Sequence, residues 1–564
     1  MKAAICDPIR RGWFILEGKL AESISWGSLP NVARIMVELA AGRREIVALL
    51  GGDWRLGDVR RAAAERRVRF HSQPGLGQLI RKGYSDRNSS LPPALEKNLR
   101  ALDKPDTLAI VTGQQVGIFG GPLYTFYKAY TTILLAEALK SEAPGDVVPV
   151  FWMETSDADF GEVNRVCFPP EDDNPRRAVY TPRDAVAGKA IGYHVLGEEI
   201  IGICETVSGW MADAPFHTPL TKLINEIYQP GRLLADAFHN LLTSVFGSRG
   251  LVMFNPLQSE VAPRTTEFWE RSLQRPEHLN KAFQVASSEV QALRLPLQVK
   301  LRDDALPIMH VDETGVRRRI HGAPGNWTIG ADGPGISLEE LQRLPRERPG
   351  ALSPSALLRP LLQDWLLPTW IYVGGPAEVS YQAQIGRAYD LVDMPRPMVA
   401  PRVTATIVER PQRRILDKHG WKVMDVLGGR ELLLRRQGRS EVVEDLFESG
   451  SDQLKGWLER IERMADETSI NIAAELDKSG RKLIYQWDKL HRAVTDKLAE
   501  RDRVRVSHAQ KITDHLMPDG MLQERHNNLL YYLANYGDRL MDIIRAEANP
   551  FQTQHLAIDL EPAG

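Results

Sequence analysis

Cysteine is scarce in this chain. Its 564 residues hold three, Cys6, Cys167 and Cys204, and no two form a C-x-x-C pair. So sparse and odd a set excludes a disulfide framework and a zinc ribbon, and it places the protein in a reducing cytoplasm. Long apolar runs are missing too. No stretch approaches the roughly 18 apolar residues of a membrane span, and the opening MKAAICDPIRRGWF lacks the apolar core of a signal peptide. The formal net charge is only −2, which calls for neither nucleic acid nor a membrane surface as partner. Several catalytic signatures are absent as well. There is no H-E-x-x-H, no Cys/His metal cluster, no G-x-S-x-G elbow, no H-x-G-H, no G-x-G-x-x-G and no Walker loop. No protein-held metal site is therefore expected.

What is present is ordinary globular protein, 43% hydrophobic and 26% charged, but too long for one compact core. The first hundred residues read as a charged helical lead-in whose pairs Arg60-Arg61 and Arg66-Arg67 belong on a solvated surface. From about residue 105, short apolar runs alternate with helical patterns. Leu108–Val111, Val147–Met153, Gly250–Phe254, Thr369–Val373 and Pro397–Ala400 are candidate strands. Alternation of this kind indicates an α/β fold, a Rossmann-like and mostly parallel sheet covered on both faces. Stretches of about 160–245 and 290–355 read as helical insertions. The core with its lead-in is expected over 1–448.

From about 450 the pattern changes. Leu454, Leu458, Ile461, Ala465, Thr468, Ile472 and Leu476 follow a heptad-like spacing, which Ser479-Gly480 interrupts and Leu483, Trp487, Leu490, Val494 and Leu498 resume. Residues 452–478 hold seven acidic and four basic side chains, and 481–511 hold nine basic and four acidic. An antiparallel coiled-coil hairpin over 449–515, turning at Ser479-Gly480, would bring these fields together. Residues 516–564 then return to the core.

Three strand ends carry chemistry. The first reads V-T-G-Q-Q-V-G-I-F-G-G-P-L-Y-T-F-Y-K. Gly113, Gly117, Gly120 and Gly121 permit close backbone approach, and the helix start near Pro122 would offer free N–H groups. Thr112, Gln114, Gln115, Tyr124 and Lys128 add donors and acceptors for a carboxylate, phosphate or sugar. The second end, F-W-M-E-T-S-D-A-D-F-G-E, gathers Glu154, Asp157, Asp159 and Glu162. Such carboxylates bind an amine, hold Mg²⁺ or act as general base, beyond the one or two that helix capping explains. The third, I-Y-V-G-G-P-A-E-V-S-Y-Q-A-Q, repeats the first design with Gly374 and Gly375. It sets Glu378, Tyr381 and Gln384 at i, i+3 and i+6. Arg359, just upstream, either grips an anion in two parallel hydrogen bonds or pairs with Asp364.

These residues bring a family resemblance with them. T-G-Q-Q-x-G-x-F-x-G-P-L-Y-T at 112–125, V-P-V-F-W at 148–152 and D-x-D-F-x-E-V-N at 157–164 resemble BshC, the proposed cysteine ligase of bacillithiol biosynthesis. So do L-S-P at 352–354, L-L-R-P-L-x-Q-D at 357–364, L-P-T at 367–369, V-G-G-P-A-E-V-x-Y-x-A-Q at 373–384, P-R-V at 401–403 and L-Q-E-R at 522–525. The resemblance runs in order from about residue 108 to the C-terminus. It implies a Rossmann-like core, a coiled-coil arm used for homodimerisation, and joining of cysteine's carboxyl group to the amine of glucosaminyl-malate. ATP or another adenine nucleotide is implied with it, and the carboxylates are compatible with Mg²⁺. On this reading Asp157 and Asp159 are catalytic, and Thr112, Gly113, Gln114, Gln115, Gly121, Tyr124, Lys128, Arg359, Gly374, Gly375, Glu378, Tyr381 and Gln384 bind substrate. The family's E-D-H-D segment is here Ser156-Asp157-Ala158-Asp159, and its S-P-N is Ser353-Pro354-Ser355. That departure keeps two other readings open, a cysteine ligase for a different amine acceptor and a non-catalytic nucleotide- or thiol-binding protein.

Overall fold

The structure is a computed structural model. It describes residues 22–560 except 56–57, 70–72, 85–89, 172–173, 184–185, 324, 438–440 and 501–502, so Cys6 lies outside the described residues. Two compact units are present. One takes in residues up to Ile407 and from Glu524 onward, and the other is Val408–Gln523.

The first unit is built on a five-stranded parallel sheet. Its strands are β1 (Leu108–Gln115), β2 (Val147–Glu154), β3 (Val252–Phe254), β4 (Thr369–Gly374) and β5 (Met398–Pro401). Their order across the sheet is β5-β4-β1-β2-β3, every neighbour parallel. Residues along all five are almost continuously buried, as a sheet covered on both faces requires. The chain order reverses between β1 and β4. Crossovers from these two strands leave in opposite directions, which opens a crevice beyond their carboxyl ends. Helix α1 (Leu123–Ala138) follows β1, and α2 (Arg359–Leu366) and α3 (Pro376–Gln382) flank β4. β1 runs on through Thr112, Gly113, Gln114 and Gln115, so the glycine-rich turn begins only after it.

The two interrupting stretches have structure of their own. The first holds a hairpin, Arg165–Glu171 with Asn174–Val179, and three helices, Glu199–Trp210, His217–Ile227 and Leu234–Phe246. The second is largely an antiparallel sheet that includes Ala305–Val311, Arg317–Ala323 and Leu352–Pro354. In the lead-in, Arg60 and Arg61 are exposed, but Arg66 is not surface: it is 2% exposed. Its guanidinium donates to Pro395 O at 2.9 Å, to Leu367 O at 2.7 Å and to Asp364 O. It therefore satisfies carbonyls left over at the C-terminal end of α2, a task that overrides the preference of arginine for water.

The second unit is helical. Its two long members are α4 (Glu441–Glu467) and α5 (Ala473–Glu500), followed by Arg503–Leu516. α4 and α5 are antiparallel. The Phe447 ring lies 5.1 Å from that of Trp487 and 4.4 Å from that of His491, and Trp487 Nε1 donates to Phe447 O at 3.0 Å. The turn falls between the two helices, where Ser469 takes φ 55°, and not at Ser479-Gly480. Gly480 is buried inside α5. A Cβ there would sit 3.2 Å from Leu458 Cδ1, so the glycine serves close approach of the arms and does not stop the helix. With the arms so bounded, α4 carries nine acidic and three basic residues and α5 five acidic and six basic, which places most of the charge asymmetry on α4.

Candidate active site

A cavity of about 460 Å³ lies in the crevice between β1 and β4, and every residue lining it belongs to the first unit. β1 delivers Gly113, Gln114 and Gln115 to it. Register places Gly113 beside Trp152 and Gln115 beside Glu154 of β2. A Cβ on Gly113 would meet Trp152 O at 3.2 Å, so a side chain there would press the two strands apart.

Opposite charges close the back of the cavity. Lys128 of α1 is buried and donates to Gly113 O at 2.8 Å and Gln114 Oε1 at 2.7 Å, and its Nζ lies 2.5 Å from Glu378 Oε2. An ammonium has three donors, and these contacts use all three. Burial pulls the Lys128 pKa down to about 8, with Glu378 opposing that shift. Glu378 also accepts the Tyr372 hydroxyl at 2.7 Å and the Gly375 N–H at 2.7 Å. The pair thereby ties the strand end at Gly113 to the turn at Gly375. Both residues, expected as substrate contacts, line the cavity as a mutual ion pair.

Arg359 is oriented by neutral partners, Gln363 at 2.8 Å and the Tyr381 hydroxyl at 3.0 Å. Its carboxylate partner is Glu154, at 3.3 Å. Asp364 instead accepts the Tyr389 hydroxyl at 2.5 Å and the Gln363 amide at 3.0 Å. Glu154 further accepts Trp152 Nε1 at 3.0 Å and the Ser156 hydroxyl. On the same side, Gln115 Nε2 donates to Asp157 at 2.6 Å and to Glu162 at 2.8 Å. The nearest cation to Asp157 is Arg317, 3.8 Å away. Two carboxylates are thus held by one neutral amide, a setting that leaves both able to receive a cationic group.

Other expected residues lie elsewhere. Asp159 is exposed, ahead of the short helix Phe160–Val163, and does not line the cavity. Thr112 is buried and ties β1 to β4 through Val373 O at 2.8 Å. Gly374 packs on Glu378, a Cβ there falling 3.1 Å from the glutamate's own. Gln384 falls beyond the end of α3. It is fully buried, with its Oε1 accepting the backbone N–H groups of Gln298 and Val299 at 3.1 and 3.0 Å, so it fixes a strap that lines the cavity.

Nor is the glycine-rich turn a phosphate cradle. Gly120 and Gly121 donate inward to Gly117 O and Ile118 O, and Leu123 N donates to Asn527 O at 2.7 Å. Asn528 Nδ2 donates to Phe119 O at 3.1 Å and Gly121 O at 2.8 Å. A helix start whose donors are taken by the chain itself has little left for an anion. Gly121 accordingly stays off the cavity wall.

Arg317, Arg402 and Arg525 line the cavity without having been singled out for it. Arg402 is buried and makes a two-pronged ion pair with Glu524, at 2.9 and 2.6 Å. Its P-R-V context and the L-Q-E-R context of Glu524 and Arg525 were visible as motifs, but nothing local to either shows that they meet.

Among the described residues no three His, Cys, Asp or Glu side chains are grouped as a metal ion needs, and no helix is long and apolar enough to cross a membrane. The parallel-sheet core and the helical hairpin are those of a Rossmann-like protein carrying a coiled-coil unit. Residues 52–403 match the family model described as bacillithiol biosynthesis BshC, N-terminal Rossmann-like domain, and residues 405–560 match its C-terminal coiled-coil domain. Proteins of Salinibacter ruber, Koribacter versatilis and Geobacillus kaustophilus, each named "Putative cysteine ligase BshC", are 32%, 28% and 28% identical. Those alignments span 88%, 84% and 86% of this chain and 90%, 88% and 90% of the relatives. The chain belongs to the BshC family.

Proposed function

We propose that the protein forms an amide between the carboxyl group of cysteine and the amino group of glucosaminyl-malate, the last step in making bacillithiol. The observation that carries this reading is the pair Asp157 and Glu162 at the cavity wall, held by the neutral Gln115 amide. An amine that is to be acylated must first shed a proton, and it needs a carboxylate not already locked in a close ion pair. Asp157 is placed to hold the acceptor's ammonium and to take that proton. Arg359, braced by Gln363 and Tyr381, holds Glu154 and sets the opposite wall. A carboxylate does not condense with an amine in water unaided. Activation by a nucleoside triphosphate therefore belongs to the proposal on chemical grounds, although the glycine-rich turn does not fit its phosphates.

The test is incubation of purified protein with cysteine, ATP and glucosaminyl-malate, with the thiol product read by mass spectrometry. Asp157→Asn should lower turnover by about 10²–10⁴-fold, the usual reach of general acid–base catalysis. Arg359→Ala should lower it too. Turnover unchanged in both variants would show the pocket to be the wrong one. The altered Ser156-Asp157-Ala158-Asp159 segment favours a second reading with a different amine acceptor. Thiol profiling of a deletion strain separates the two.

A further inference from the structure

The charged groups lining the cavity can be sorted by whether the protein already neutralises them. Three cations are closely paired, Lys128 with Glu378 at 2.5 Å, Arg402 with Glu524 at 2.6 Å and Arg359 with Glu154 at 3.3 Å, while Arg317 stands 3.8 Å from Asp157, the carboxylate given above to the acceptor amine. Two charges remain. Arg525 lines the cavity and has no hydrogen-bond or ion-pair partner among the described residues. Glu162 lines it too, and its one partner there is the neutral amide of Gln115. These two do not pair with each other. Burial raises the Tyr124 phenol, and four charges of the cavity wall act on it, Arg525 and Arg402 opposing the rise and Glu378 and Glu162 adding to it. Tyr124 also lines the cavity.

One unpaired charge of each sign on the wall of one concave site is the complement of a zwitterion. We infer that Arg525 and Glu162 form an amino-acid subsite, Arg525 taking the α-carboxylate and Glu162 the α-ammonium. The assignment of cysteine as that amino acid rests on the ligase reading. The subsite itself rests on the charges. Both ligand ends would make charge-assisted hydrogen bonds, which are about twice as strong as neutral ones. Both protein groups are exposed, so neither must break an internal ion pair to bind.

Three small thiols separate the two contacts. L-cysteine carries both charges, cysteamine lacks the carboxylate, and 3-mercaptopropionate lacks the ammonium. Binding to the full chain is measured by calorimetry under reducing conditions, so turnover is not required. The wild type should bind cysteine about tenfold or more tightly than either analogue, the worth of one charge-assisted contact. Arg525→Gln should weaken cysteine by about tenfold and leave cysteamine unchanged. Glu162→Gln should weaken cysteine and leave 3-mercaptopropionate unchanged. The inference is overturned if the wild type does not bind cysteine, or if either variant weakens all three thiols equally. Charge-dependent cysteine binding without amide product would sink the ligase reading and keep the subsite. Product formation with an unaltered KM for cysteine in both variants would do the reverse.

Discussion

Single residues show where a linear reading succeeds and where it stops. Gln114, Gln115, Tyr124, Asp157 and Tyr381, read from glycine turns and strand ends, all line the cavity. The pairing of Lys128 with Glu378 was not legible, since 250 positions separate them and only the sheet order makes them neighbours. The same holds for His555, which no sequence pattern marks. It is fully buried between two hydroxyls, Thr406 Oγ1 at 2.9 Å and Thr404 Oγ1 at 3.0 Å. Burial pulls its pKa down to about 4 from the usual 6.5. Between those two values the unfolded chain binds a proton that the folded chain does not, so stability falls as pH drops through that window. The loss from this one group should reach roughly 3 kcal/mol near pH 4, at about 1.4 kcal/mol per pH unit. Denaturant unfolding at a series of pH values checks it. His555→Gln should flatten the curve between pH 6.5 and 4, and an equal slope in both proteins would remove His555 as its cause.

At the level of elements, the strands of the core could be read because apolar runs ending in glycine are a local signal. The shape of the first turn could not. Phe119, Gly120 and Gly121 stand at φ 50°, 84° and 73° in succession, and a Cβ on Gly117 would fall 2.8 Å from Gly121 Cα. Such a left-handed run is held from outside, by the C-terminal segment. Asn528 is buried, holds Phe119 O and Gly121 O with its amide, and caps the helix Leu529–Tyr536 through its Oδ1. Its distance in sequence from the turn hid this role. Asn528→Ala should cost about 2–4 kcal/mol, roughly 1 for the lost cap and the rest for two buried carbonyls left without donors. Asn528→Asp keeps the capping oxygen and loses both donors. It should be no more stable than the alanine variant in denaturant melts, and wild-type stability in Asn528→Asp would show that the turn keeps its form unaided.

For the whole molecule, the β5-β4-β1-β2-β3 order decides what two similar glycine turns mean. The strand end Gly113–Gln115 before the first turn and Gly375 in the second, some 260 residues apart, become two rims of one cavity only because the chain order reverses between their strands. The sequence could suggest both turns but not their adjacency. Assembly raises a parallel question for the second unit. The inner seam of the hairpin is closed, yet Trp457, Ile461 and Met464 of α4 are exposed at helical spacing, and so are Leu483 and Leu490 of α5, both about half exposed. The heptad reading had put Ile461, Leu483 and Leu490 inside the seam. Their outward position leaves an apolar stripe on each arm, which water alone covers poorly. We propose that a second copy of the chain covers it, making the homodimer that the family resemblance implies. Each large apolar side chain so buried is worth roughly 1.5–3 kcal/mol. Replacing Leu483 and Leu490 by Glu alters four side chains per dimer, so association should weaken by on the order of 10⁴-fold or more. Sedimentation equilibrium should find twice the chain mass for the wild type and the chain mass for Leu483→Glu/Leu490→Glu. A wild type at the chain mass, or a double variant that still sediments as a dimer, would mean that this stripe does not mediate assembly.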